Sequence, residues 1–272
     1  MGSATREALS AARAELSALG TVTLATAEDL FSAGRIIGDS SQLLTLLSES
    51  NGGTGAQDSA DDAEKRAVVA AVFGSKVTEQ ALRLLDVVVD HRWSSQDDLL
   101  AGVEELGLRA AAESAPKGVS IETELFAFAT AVTSDPNLEL AVGSKLGDDE
   151  AKVVLVTRLL ENKVSPQTLT IVRQLVQQPR GRRIGESLRT AATIVADQSG
   201  LVVAMVTSAA PIASEQLTRL QEGLATTYGR AVQLNLVIDP AIIGGLRVQI
   251  GDDVIDGTVS RKLSDLRLQL AG

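Results

Sequence analysis

The chain changes its hydrophobic period once, and that change decides what it can fold into. Through residue 197, apolar side chains recur every three or four positions, the spacing of helices with one buried face. From Leu201 they run together or alternate. Leu201–Val206 reads as a strand, Ser214–Tyr228 as a helix capped at Ser214, and Val232, Leu234 and Leu236 as a half-buried strand of period two. Asp239-Pro240 ends that strand, because proline lacks a ladder donor and restricts the residue before it. Gly244-Gly245 allows a sharp turn or a close backbone approach. Leu246, Val248 and Ile250 resume the alternation, Gly251-Asp252-Asp253 is a hairpin signal, and Asp256-Gly257-Thr258 closes the return strand. A short helix, Ser260–Leu270, completes a small α/β unit.

The helical part contains a repeat. Helices are expected over 5–19, 27–38 (with Thr26 as N-cap), 41–48, from Asp61 to Phe73, over 78–91, and from Ser94-Ser95 onward. Between the third and fourth, NGGTGAQD (51–58) reads as a loop. Leu30-Phe31…Ile37 matches Leu125-Phe126…Val132 at a spacing of 95. Val68, Val69, Val72, Phe73, Lys76-Val77, Gln80 and Leu82 match Leu155, Val156, Leu159, Leu160, Lys163-Val164, Gln167 and Leu169 at a spacing of 87. The two spacings differ by eight, the length of the loop, so one deletion puts both blocks in register. Two units are too few for a solenoid. No clear equivalent of helix one precedes the second copy, whose core is therefore expected to lean on the first. The expected fold is mainly α with a small α/β domain: a six-helix bundle with a partial second copy, then about four strands and two helices. The expected domains are 1–116, 117–198 and 199–272.

Composition narrows the chemistry. Aromatics are only 2% of 272 residues, so the core must be Ala, Leu, Val and Ile, packed closely. With no cysteine there is no disulfide, thiolate metal site or cysteine nucleophile. Residues 1–178 hold 15 Lys and Arg against 26 Asp and Glu, whereas 179–272 hold 10 against 9. An acidic body argues against a nucleic-acid partner, whose phosphates demand a basic face. No run approaches the ~20 apolar residues that span a bilayer, so no direct membrane insertion is expected. The start, Met1-Gly2-Ser3-Ala4-Thr5, has no basic segment followed by an apolar run, and no signal peptide is expected.

Taken in order, Val232, Leu234, Ile238-Asp239, Ile242, Gly244-Gly245-Leu246, Val248-Gln249 and Gly251, with Asp256-Gly257 behind them, resemble the C-terminal signature of the delta subunit of F-type ATP synthases. That family includes the oligomycin-sensitivity-conferring protein. The resemblance implies an N-terminal six-helix bundle and a small α/β domain, in the order seen here; most relatives carry one helical copy. It implies a non-catalytic stator subunit without cofactor or metal, one copy per complex, at the cytoplasmic face of the bacterial cell membrane. Its implied partners are N-terminal helices of the alpha subunits and the end of a b-type peripheral-stalk subunit. Helix one and helix five would form the alpha-subunit groove, through Leu9, Leu16, Leu82, Leu85 and Val89. Ser165–Gln177 is an equally good helix five, so the docking copy stays open. Such a bracket acts through helix-on-helix contacts at i, i+3, i+4 and i+7 and needs no reactive group.

Sharper sites compete with plainer readings. His91, the only histidine, would need Asp86 or Asp90 to orient it as a base; a helix C-terminus also accommodates imidazole for its charge alone. Trp93, the only tryptophan, is either a packing anchor or a partner contact. Asp239, Asp252, Asp253 and Asp256 lack the spacing of a calcium loop and sit at turns, where aspartate is ordinary. Gly244-Gly245 is not followed by the Lys-Ser/Thr of a phosphate loop. Arg180, Arg182 and Arg183 either meet an acidic helix or stand in solvent. The rival functions are a helical adaptor of another assembly and a nucleotide-dependent enzyme using the Gly-rich turns.

Overall fold

A computed structural model describes residues 2–48, 56–144, 147–251 and 253–263. The chain packs as two units, Met1–Val195 and Ala196–Gly272, each with its own apolar core.

The first unit is helical. Its elements are α1 (Ser3–Ala18), α2 (Leu24–Asp39), α3 (Ser41–Ser48), α4 (Ala56–Phe73), α5 (Glu79–Asp90), α6 (Gln96–Glu113), α7 (Ile121–Ser134), α8 (Pro136–Gly143), α9 (Asp149–Leu160), α10 (Pro166–Gln177) and all but the last three residues of α11 (Ile184–Gln198). The repeat survives in the coordinates. α3 displaced by 95 gives the bounds of α8, and α5 displaced by 87 gives those of α10. The equivalence extends to capping. The Thr78 hydroxyl accepts from the backbone N–H of Ala81, and Ser165 does the same for Thr168. An acid on the second helix of each copy takes the cap's own N–H: Asp29 from Thr78 at 2.6 Å, Glu124 from Ser165 at 2.9 Å. Two identical solutions to the orphan donors of a helix start indicate copies of one structural unit.

Two local expectations shift. The N-cap of α2 is Thr23, not Thr26. Thr26 lies in the first turn, fully buried, and its hydroxyl donates to Gln80 Oε1 at 2.9 Å, so a cross-helix bond has claimed the group assigned to capping. α4 starts at Ala56, ahead of Asp61, so the last three residues of NGGTGAQD are helical; 51–55 lie outside the described residues.

The centre of this unit is α6. Residues 102–111 are buried without interruption, the mark of a helix surrounded on all sides. α1, α2, α3 and α5 pack on it from the first copy and α10 from the second. Displaced by 95, α1 would fall on 98–113, inside α6. The second copy's missing first helix is thus the first copy's last. Close packing is bought with glycine: a Cβ on Gly107 would stand 2.4 Å from the Phe31 ring, and one on Gly102 would stand 2.1 Å from Trp93. The buried charged residues of α6, Glu104, Glu105 and Arg109, are paired. Glu105 accepts from Arg109 at 2.7 Å and Arg13 Nε at 2.8 Å, and Glu104 accepts twice from Arg182, at 2.7 and 2.8 Å.

The second unit contains β1 (Val202–Ser208), α12 (Ser214–Tyr228), β2 (Val232–Ile238), β3 (Leu246–Ile250) and β4 (Asp253–Asp256), with helical backbone again over 259–263. α12 starts at Ser214 as expected, but its N-cap position is Ala213. The sheet order is β2-β1-β3-β4. β1 and β2 pair in parallel across the α12 crossover; β3 adds antiparallel on the other side of β1, and β4 pairs antiparallel with β3. Ala204, Val206, Val232 and Val248 on the sheet meet Leu220, Leu224 and Tyr228 of α12 in its core.

Candidate interaction surfaces

The signature residues assemble around one contact between two turns. Asp239 ends β2 and, through Oδ1, accepts from the N–H of Ala241 at 2.9 Å; its own N–H donates to Ser208 O. This Asx turn sends the chain past β1 to β3. Gly245 then takes φ +82°, and a Cβ there would lie 2.4 Å from Gly257 O and 2.9 Å from Thr258 Cα. Only glycine meets both demands. On the other side, Asp256 Oδ1 accepts from the N–H of Thr258 at 3.0 Å, and the Thr258 side chain first, with this backbone bond second, holds its carboxyl below the usual carboxylate range. The turns are tied by Gly257 N–H to Leu246 O and Val259 N–H to Gly244 O, both 3.0 Å.

The remaining signature positions divide by depth. Val232 and Val248 are buried, Leu234, Ile242 and Leu246 half-buried, and Ile238 exposed. Gln249 is exposed and donates to Gly251 O; Gly251 turns the β3–β4 hairpin at φ +56°. Asp252 lies outside the described residues. Beside Gly244 an open cavity of about 390 Å³ is lined mainly by apolar groups, among them Ala209, Pro211, Ile212, Leu220 and Leu246. Ile243, 79% exposed, stands at the same turn. The surface offers apolar area and backbone, and among the described residues no cluster of three or more His, Cys, Asp or Glu is placed to hold a metal ion.

On the helical unit, Leu9, Leu16, Leu85 and Val89 lie in the core, where α1 packs directly on α5. Leu82 is half-buried and is the member of this set that reaches the surface. The seam is crossed by the Arg83–Glu15 ion pair at 2.5 Å and flanked by Arg66–Asp90 at 2.6 Å. Asp86, between them, has its carboxyl raised by burial first and by Asp90 second.

The plain readings account for the isolated residues. His91 Nδ1 sits 2.9 Å from Val87 O at the end of α5, and Asp90 is engaged by Arg66. Trp93 is buried; its Nε1–H donates to Val88 O at 2.8 Å, and its ring rests on Gly102. The basic cluster does meet an acidic helix, but one of its own chain: Arg182 and Arg180 face Glu104 of α6, and Arg180 Nη2 donates to Asp97 O at 2.6 Å. Burial lowers the Arg180 pKa despite Glu104. Arg183 stays exposed.

The architecture is thus that of an α-helical protein with a duplicated helical unit and a small mixed α/β unit. Residues 107–270 match the family described as the ATP synthase delta (OSCP) subunit. The chain is 52% identical over its full length to ATP synthase subunit delta of Leifsonia xyli subsp. xyli, covering all of that protein, and 38% identical to that of Streptomyces griseus subsp. griseus, again with both chains covered completely. It also overlays, with a TM-score of 0.42 and 17% identity, on a chain of the Toxoplasma gondii mitochondrial ATP synthase hexamer, covering 62% of this chain and 95% of that one. This chain belongs to the ATP synthase delta (OSCP) subunit family. The family match begins inside α6, so it takes in the second helical copy and the α/β unit, while the full-length relatives carry the first copy too.

Proposed function

We propose that the chain is a non-catalytic stator subunit of an F-type proton-translocating ATP synthase, joining the alpha subunits of the catalytic head to a b-type peripheral stalk. The observation that carries this reading is the end-to-end match to subunits delta of the same length, first helical copy included. A stator must hold a stationary part against torque, which calls for broad side-chain interfaces and no reactive group. In this reading the helical parts, 1–116 and 117–198, serve the head. The part 199–272 serves the stalk, through the apolar surface around Ile238 and Ile243. No helix among the described residues is long and apolar enough to cross a membrane; attachment to the cytoplasmic face of the bacterial membrane comes through the complex. The adaptor reading rested on the extra copy, and that copy is present in relatives named as delta subunits.

The test is co-purification of the tagged chain with the alpha and b-type subunits of its own organism. Recovery of both is expected. Recovery of neither by folded protein would remove the proposal.

A further inference from the structure

Five arginines among the described residues are buried or half-buried. Three of them, Arg109, Arg180 and Arg182, face a glutamate of α6. The other two, Arg35 and Arg173, share one cleft of about 260 Å³ where α2 of the first copy packs on α10 of the second, with α9 alongside. Their protein partners are neutral. Arg35 Nη1 donates to Gln174 Oε1 at 2.8 Å and Gln177 Oε1 at 3.1 Å, and Arg173 Nε donates to Thr157 Oγ1 at 2.9 Å. Glu28, in the same cleft, accepts from Thr170 at 3.2 Å, and among the described residues neither guanidinium forms an ion pair. Burial lowers the Arg35 pKa, and Asp39 opposes this only through space. A cation taken out of water without a counter-charge is costly, and two in one cleft also repel.

We propose that this cleft is a binding site for a small oxyanion of the phosphate class, held between Arg35 on the α2 wall and Arg173 on the α10 wall. Each guanidinium has spare donors: Arg35 Nε and Nη2 and Arg173 Nη1 and Nη2 make no hydrogen bond to the described protein atoms. Two planar forks suit an anion with several oxygens better than a single-atom halide. The cleft is smaller than the ~300–1,000 Å³ of sites for drug-sized ligands, which excludes a nucleotide. The pair of cations is not a feature of either copy. Displaced by 87, Arg173 falls on Asp86; displaced by 95, Arg35 falls on Thr130. The site exists only where the copies meet, so its occupant fastens α2 to α10 and stabilises the helical unit by mass action. It does not depend on the stator reading.

The test is calorimetric titration of the full chain with sodium phosphate, with sodium chloride holding ionic strength constant. Saturable binding at one site per chain is expected. Arg35→Gln and Arg173→Gln should each weaken it about tenfold or more, as loss of a desolvated charged contact does. Arg173→Lys keeps the charge but loses the fork, and should weaken binding less than Arg173→Gln. Arg158→Gln, at an exposed position of α9 outside the cleft, removes the same charge and should leave affinity within about twofold. A second readout needs no variant. Phosphate should slow phenylglyoxal modification of Arg35 and Arg173 in the unaltered chain, mapped by peptide mass, and leave Arg158 unchanged. Absence of saturable binding by the unaltered chain overturns the proposal. So do binding that neither glutamine variant weakens, equal weakening in Arg158→Gln, and protection that falls on other arginines. None of these results touches the stator reading, which co-purification tests separately.

Discussion

Gly245→Ala tests whether the signature works as a contact between turns. At φ +82° an alanine costs about 1–2 kcal/mol in left-handed strain alone. Its Cβ would also lie 2.4 Å from Gly257 O, which is backbone and cannot rotate away. Separating the strands by the required ångström breaks the two bonds that tie them, Gly257 N–H to Leu246 O and Val259 N–H to Gly244 O. At about 1 kcal/mol each, the total is about 3–4 kcal/mol, a large share of the stability of a small unit. Two neighbours are internal controls. Gly251→Ala meets no atom within 4 Å at φ +56°, so only the strain of about 1–2 kcal/mol remains. Gly244→Ala meets Val259 Cγ2 at 3.4 Å, an ordinary contact, and should change stability by no more than about 0.5 kcal/mol. Urea unfolding can be read separately in the two units, because the only tyrosine, Tyr228, lies in one and the only tryptophan, Trp93, in the other. The Tyr228 transition should fall in the order Gly244→Ala, Gly251→Ala, Gly245→Ala. Equal effects at Gly244 and Gly245 would refute the reasoning.

Three further outcomes follow from the same geometry. Glu124→Ala removes the acceptor of three bonds, from Ser165 N–H, Ser165 Oγ and Thr168 Oγ1, and should cost about 2–4 kcal/mol in the Trp93-detected transition; Asp29→Ala, which removes one bond to Thr78, should cost about 1–2. Glu104→Ala strands the cations of Arg180 and Arg182 against α6 and should cost about 3–5 kcal/mol, measured by thermal unfolding. The Asp256 carboxyl is depressed in the folded chain, so its contribution is present above the ordinary carboxylate range and is lost as pH falls through the depressed value. Melting of the α/β unit in the parent and in Asp256→Asn should therefore differ at neutral pH and converge in acid.

The repeat was legible because a single loop-length offset aligned two separate blocks, and Leu30-Phe31 and Lys76-Val77 kept their order in both copies. The α/β unit was legible from one continuous apolar run, Leu201–Val206, from the alternation around Val232–Leu236 and Leu246–Ile250, and from glycines and aspartates that fall at its turns. The role of α6 was not. Glu104, Glu105 and Arg109 look like a solvated face on a helical wheel, and their burial depends on Arg13 and Arg182, which are remote in sequence. The readable hint lay in Gly102 and Gly107: mid-helix glycines weaken a helix and so mark close approach. Thr26 was expected as the cap, and its hydroxyl goes instead to Gln80, fifty-four residues beyond it. Sheet order was equally closed to local reading, since β1 separates β2 from β3 through pairings that periodicity does not encode. The packing of α2 on α10 was likewise closed to local reading, since Glu28 and Arg35 meet Thr170, Gln174 and Gln177 from 139 or more residues away.

The most direct measurement of the central claim is coupling. Membranes carrying the synthase but stripped of this chain should hydrolyse ATP without making it under a proton gradient, and adding the purified chain back should restore synthesis. Undiminished synthesis in the stripped membranes, or no recovery when folded chain rebinds, would contradict the account.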